Sequence, residues 1–189
     1  MDKKRFAILI SGYGRGAIQI LLDNEFGFIQ PTLSLVLSSN PDSGALNFAK
    51  EFAVPSEFVD KKRFKDRNEF EVEIIKMLEK YKIDFIFLAG WNYILTSSFI
   101  KKYDRRIVNI HPSILPYFQG TNAITQAIES KVKFTGVTTH FVDEGIDTGE
   151  IIDQKIVYID NNEDFDKLDF KIFKQGAVLS VNTINTVFK

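Results

Sequence analysis

Residues 6–22 read FAILISGYGRGAIQILL, and their order decides the fold class. Residues 6–10 are an unbroken apolar run of strand length, as expected for a strand covered on both faces. Ser11, Gly12, Tyr13, Gly14, Arg15 and Gly16 then make a tight turn, and residues 17–22 open a helix. A strand, a glycine turn and a helix in that order begin an α/β unit of the nucleotide-binding kind. The glycines form G-x-G-x-G rather than G-x-G-x-x-G, which leaves two readings open. The loop cradles a phosphate on backbone N–H groups at a helix start, with Arg15 adding a charged fork. Alternatively, it is only a sharp strand-to-helix turn. The second strand runs out into Leu37-Ser-Ser-Asn40, with no acidic residue to hold a ribose, which disfavours NAD.

Outward from this unit, strands are expected at 32–37, 56–59, 84–89, 106–110, 136–142 and 150–158. Helices are expected at 43–52, capped by Asp42 or Ser43, then up to about residue 81, and at 96–103, 122–130 and 163–188, the last interrupted at Gly176. The charge-dense stretch 60–73 reads as a solvated helix face. About seven strands alternating with helices predict a Rossmann-like, mostly parallel twisted sheet with helices on both faces. With no repeat or linker in view, residues 1–189 read as one domain. Ligands in such sheets bind beyond the carboxyl ends of the strands. The loops 11–16, 90–93 and 111–120 should therefore converge, joined by the turn 143–149.

Bulk properties narrow the function classes. The 189 residues carry a net charge of −1, so nothing draws the chain toward nucleic acid or membrane. Cysteine is absent and only two histidines occur, which excludes thiol chemistry and makes a metal centre unexpected. The first apolar run is too short for a signal peptide or membrane span, so cytoplasmic residence is expected.

The chemistry gathers late in the chain. Asn109 and His111 stand two apart at a strand end and therefore face one side. Pro112 forces the backbone to leave the sheet at His111. Asp147 sits in a turn rich in Gly and Asp. An amide donor, an imidazole and a carboxylate suit acyl transfer: the amide holds an oxyanion, the ring moves protons and the carboxylate orients the ring. His140 lies in an apolar alternation, shares a face with Thr138 and Val142, and reads as a hydrogen-bonded structural histidine. Gly90 allows close approach of a ligand, and Trp91 and Tyr93 either wall a flat ring or pack in the core.

Asn109-Ile-His111-Pro112-Ser-Ile-Leu-Pro116, Gly120 and His140-Phe-Val-Asp143-Glu144-Gly145-Ile146-Asp147-Thr-Gly149 resemble the 10-formyltetrahydrofolate-dependent formyltransferases. By size and wording the resemblance is nearest the branch acting on glycinamide ribonucleotide (GAR). It implies that Asn109, His111 and Asp147 are catalytic and that 10-formyltetrahydrofolate is the formyl donor, with no metal. It implies that Gly90, Trp91, Asn92, Tyr93, Ile94 and Leu95, with Asp143, Glu144, Gly145 and Ile146, border the folate. Gly12, Tyr13, Gly14, Arg15, Gly16 and Pro112 would meet a phosphate-bearing amine. The direct attack of that amine needs no acyl-enzyme. A monomer or homodimer is expected.

Three departures from the family pattern stand out. Gly14-Arg15-Gly16 replaces the usual G-S-N or G-T-N, Asn92-Tyr93 replaces Met-Arg, and Phe173 with Gly176-Ala177 falls where H-x-x-E-H is usual. They leave open an amino sugar nucleotide or another small amine as acceptor, and, in another class, a non-catalytic folate- or nucleotide-binding homologue.

Overall fold

The computed structural model describes residues 3–189. The opening run forms β1 (Arg5–Ile10), followed by α1 (Arg15–Glu25), β2 (Thr32–Ser38) and α2 (Gly44–Glu51). Next come the short β3 (Ser56–Phe58), α3 (Arg67–Lys80), β4 (Phe85–Leu88), α4 (Ser97–Lys102) and β5 (Ile107–His111). The chain ends with α5 (Ala123–Glu129), β6 (Phe134–Phe141), β7 (Ile151–Tyr158) and α6 (Phe165–Val187). The sheet is seven-stranded in the order β3-β2-β1-β4-β5-β6-β7. Strands β1 to β5 run parallel, whereas β6 pairs antiparallel with both β5 and β7.

Alternation along β1 shows how the sheet is covered. Phe6, Ile8 and Ile10 pack with Ala17, Ile20 and Leu21 of α1, Ala45 and Ala49 of α2, and Ile184 of α6. Ala7 and Leu9 point the other way, toward Phe70, Ile74 and Leu78 of α3 and Phe99 of α4. A continuous apolar run is what a strand with two covered faces requires. A further apolar cluster joins α6 to the antiparallel end through Leu168, Ile172, Leu179, Val137 and Val157.

Helix α6 is not interrupted at Gly176 as expected from propensity. Gly176 is buried, and a Cβ there would stand 3.3 Å from Ile110 Cδ1. Packing against β5 and β6 outweighs the roughly 1 kcal/mol that glycine costs a helix interior. Ser43 caps α2 by position, but its hydroxyl donates to Tyr13 O at 3.0 Å instead of accepting from the helix. This ties the glycine turn to α2. Gly14 takes φ +88°, and a Cβ there would meet Ala45 Cβ at 2.8 Å and Ile10 Cδ1 at 2.9 Å. Both backbone and space therefore demand glycine.

The expected convergence of loops is present. Ser11 N donates to Gly90 O at 2.9 Å and Asn92 N donates to Ser11 Oγ at 3.0 Å, which joins the loops after β1 and β4. The charge-dense stretch 60–73 is mostly exposed, and of its charged residues one is buried. Glu71 is buried, accepts from Thr96 N at 2.9 Å and is bonded by the Thr96 hydroxyl. It pins the far end of the loop that follows β4. Among the described residues, no helix is long and apolar enough to cross a membrane.

Candidate active site

Strand β5 carries Asn109 and His111 to the carboxyl edge of the sheet, and His111 is its last residue rather than the first beyond it. Opposite them, β6 pairs His140 with Asn109 and Thr138 with His111. A register shift lies between Thr139 and His140. The turn between β6 and β7 then brings Asp147 over the pair. That turn is built by its own side chains: Asp143 Oδ1 accepts from Gly145 N at 3.1 Å and from Thr148 Oγ1 at 2.7 Å. A side chain at Gly149 would collide with Phe141 O, so the turn closes there only on glycine. Asp147 itself has φ +53°.

These groups form one hydrogen-bonded cluster. His111 Nδ1 lies 3.3 Å from Asp147 Oδ2, and His140 Nε2 lies 3.5 Å from Asp147 Oδ1. Asn109 Nδ2 is 3.1 Å from His140 Nε2 and 3.4 Å from Asp147 Oδ1. Carbonyl oxygens settle the ring hydrogens, because a carbonyl only accepts. His140 Nδ1 donates to Phe141 O at 2.8 Å, so in the neutral ring its Nε2 accepts from the Asn109 amide, and in the protonated ring it donates toward Asp147. His111 Nε2 donates to Phe118 O at 2.8 Å. Gly120 N donates to Asp147 Oδ2 at 2.9 Å, and Gln119 Nε2 to Asp147 O at 3.0 Å, which clips the loop after β5 onto the turn. Burial pushes the Asp147 carboxyl upward. The bonds from His140 and Gly120 N–H and the charges of His111 and His140 outweigh it, so its pKa falls below the usual 3.8.

The cluster opens into a cleft of about 420 Å³. Gly90, Trp91, Asn92, Tyr93, Ile94 and Leu95 wall it on one side, with Asp143, Gly145 and Ile146 on another. Glu144, expected on this wall, does not line the cleft: its carboxylate lies 3.8 Å from Lys101 Nζ, out on the surface. Its side chain leaves the turn on the solvent side, where Lys101 offers a charge partner. Trp91 packs in the core and also borders the cleft. It lies in a parallel stack on Phe70, with ring centroids 5.9 Å apart.

Of the residues expected around a phosphate, Arg15, Gly16 and Pro112 line a second, smaller cavity beside the first. Gly12, Tyr13 and Gly14 line neither and instead form the turn against α2. Arg15 Nη1 lies 2.7 Å from Asp169 Oδ2 of α6. Among the described residues, no group of three or more His, Cys, Asp or Glu side chains is placed to hold a metal ion.

Residues 4–184 match the family model described as formyl transferase. The chain belongs to the formyl transferase family. Phosphoribosylglycinamide formyltransferase of Bacillus subtilis is 33% identical over 171 residues, which are 90% of this chain and 88% of that protein. The trifunctional purine biosynthetic protein adenosine-3 of Drosophila melanogaster is 38% identical over 175 residues. The match covers 91% of this chain but only 13% of that longer protein. The crystal structure of phosphoribosylglycinamide formyltransferase from Bacillus halodurans superposes with a TM-score of 0.92 at 36% identity, covering 98% of this chain and 100% of that one.

Within this formyl transferase, the departures from the family pattern fall unevenly. Asn92 and Tyr93 border the large cleft, whereas Arg15, Gly16, Phe173, Gly176 and Ala177 all line the small cavity. Three contacts escaped sequence reading. His140 touches both Asn109 and Asp147, and only strand register reveals it. Asp169 sits among many exposed charges of α6, and nothing in the sequence ties it to Arg15. Glu71 is an ordinary helix glutamate until its burial is seen.

Proposed function

We propose that this chain, one formyltransferase-like domain over residues 1–189, moves a formyl group from 10-formyltetrahydrofolate to the primary amine of GAR, a step of purine synthesis. The observation that carries the reading is the Asn109–His111–Asp147 cluster, joined by His140, at the mouth of a cleft with an aromatic wall. GAR as acceptor follows from the relatives that match most of this chain, which are phosphoribosylglycinamide formyltransferases.

The roles follow from the bonds each group can give. The amine attacks the formyl carbon and its electrons move onto the formyl oxygen. Asn109 Nδ2 has one firm bond, to His140, and one long bond of 3.4 Å to Asp147. The developing oxyanion replaces the long one, so the stabilising donor is already aimed. His111 stands beside it as the proton carrier, held by Asp147. The tetrahedral carbon then releases the folate nitrogen, which takes up the proton that the amine gives away. Folate lies against the wall formed by Gly90 to Leu95 and by the turn at Asp143 to Ile146. The acceptor's phosphate lies at the start of α1, near Arg15 and Gly16.

Incubating the protein with 10-formyltetrahydrofolate and GAR tests this directly, with deformylated folate read by absorbance. Deformylation that depends on GAR, with formyl-GAR as product, is the expected result. Folate binding without turnover of any amine would leave only a binding homologue. Turnover of an amino sugar nucleotide but not of GAR would keep the donor and replace the acceptor.

A further inference from the structure

The catalytic cleft has a neighbour. Ile110 and Pro112 border both it and a second cavity of about 230 Å³ between α1, the sheet and α6. Pro112 follows His111 directly, so the two spaces meet at the reacting groups. The floor of the second cavity is apolar, built by Phe87, Val137, Ile172 and Gly176. Its charge is confined to the rim. There Asp169 takes two bonds from the Arg15 guanidinium, 2.7 Å from Nη1 and 3.0 Å from Nη2. The guanidinium carbon stands 4.3 Å from the centroid of the Phe173 ring, which fixes its plane. Ser180 is the other polar side chain among the described lining residues, and its hydroxyl is committed to Gly176 O at 2.8 Å.

An acceptor whose amine reaches His111 has to place the rest of itself. Folate fills the large cleft in the proposed reaction, which leaves the second cavity. A polar acceptor finds two side chains there able to recognise it. Neither is exhausted by the ion pair, because a guanidinium has five N–H donors and a carboxylate about four acceptor sites, and two of each are in use. We propose that Asp169 and Arg15 are the acceptor-recognition pair. The Asp169 carboxylate accepts from the hydroxyls of a sugar-like acceptor, and the Arg15 guanidinium, held in place by Asp169 and Phe173, binds its anionic group. The proposal rests on the formyl-transfer reading and takes GAR as its probe.

A pair that serves only the fold would behave differently. Half-exposed ion pairs contribute little to stability, so their loss should leave ligand affinity alone. The test is calorimetric binding of GAR, and of its dephosphorylated riboside, to wild type, Asp169→Asn and Arg15→Gln, with turnover measured in parallel. Asp169→Asn should weaken both ligands about tenfold and raise KM for GAR with little change in kcat. Arg15→Gln should weaken GAR by a similar factor but leave the riboside nearly unchanged. Binding of a folate analogue should not move in either variant. GAR affinities within about twofold of wild type in both variants overturn the pair, because one charge-assisted bond is worth more than that. Absence of GAR binding to wild type overturns it as well. GAR that is formylated but indifferent to both substitutions removes the pair and leaves the reaction standing. GAR that binds with the expected sensitivities but is never formylated keeps the pair and removes GAR as substrate.

Discussion

Two cavities share Ile110 and Pro112, yet they are built on opposite terms. In the catalytic cleft the functional side chains are bonded to one another or to backbone: Asn109 to His140, His140 to Phe141 O, His111 to Phe118 O, Asp147 to Gly120 N. Strand register and a turn braced by its own side chains place these groups. The smaller cavity is an apolar basin with one ion pair on its rim, placed by the start of α1 and one face of α6. A group on a central strand cannot move without disturbing its neighbours on both sides. A helix side chain at the rim of a cavity can be exchanged at little cost to the fold. That asymmetry explains why the chain keeps the formyl transferase chemistry while departing from the family pattern mainly in the smaller cavity.

The sharpest way to break the comparison is to attack the bonded cluster. His111→Ala and Asp147→Asn should each lower kcat by about 10²- to 10⁴-fold, the range for positioned acid–base groups. Near wild-type turnover in either variant would move the chemistry out of this cleft. His140→Ala should cost less, about tenfold to a hundredfold in kcat, because it frees the Asn109 amide to rotate without removing a reacting group. Binding of a folate analogue should survive it, which steady-state kinetics and calorimetry together would show. A loss confined to KM would mean that His140 only shapes the pocket.

These sizes also measure what the sequence made legible. Periodicity along a single strand put Asn109 and His111 on one side, and the continuous apolar runs placed the sheet between two helical layers. His140 needed the partner strand: its contact with Asn109 depends on the antiparallel register of β5 and β6, which no local pattern encodes. Asp169 needed tertiary contact, since it meets Arg15 across 154 positions of chain. Gly176 misled because propensity is local, whereas the packing that keeps α6 continuous comes from β5 and β6. Glu144 misled for a similar reason, because sequence adjacency in a turn says little about which way a side chain points.

Acidification gives a smaller and more graded effect. Asp147 has its folded pKa below the ordinary value of 3.8, so its ionised form stabilises the native state. That contribution is fully present above the unfolded value and is lost as pH falls through the folded one. The stability advantage of wild type over Asp147→Asn should therefore be flat above about pH 5 and shrink steadily below it. Denaturant unfolding of both proteins at a series of pH values checks this. An advantage that grows on acidification would mean that burial, which pushes the carboxyl upward, outweighs the two histidines and Gly120 N–H.

The smallest expected effect lies in the smaller cavity and has the opposite sign. Gly176→Ala replaces a glycine inside α6 by the residue with the highest helix propensity, a gain of about 1 kcal/mol. The new Cβ would stand 3.3 Å from Ile110 Cδ1 and 3.6 Å from Val137 Cγ2. The first contact is tight by a few tenths of an ångström, but Cδ1 is the free end of a side chain bordering a cavity and can give way. Propensity should win, and thermal unfolding should rise by about 2–4 °C for each kcal/mol gained in a chain of this size. The added methyl stands over the basin floor, so KM for the acceptor should rise modestly while kcat holds, because no bond to the reacting groups is touched. The same substitution made in the catalytic cleft would have no such latitude. A fall in melting temperature would show that the floor around Gly176 is as tightly constrained as the bonded cluster, and the contrast between the two cavities would then lose its physical basis.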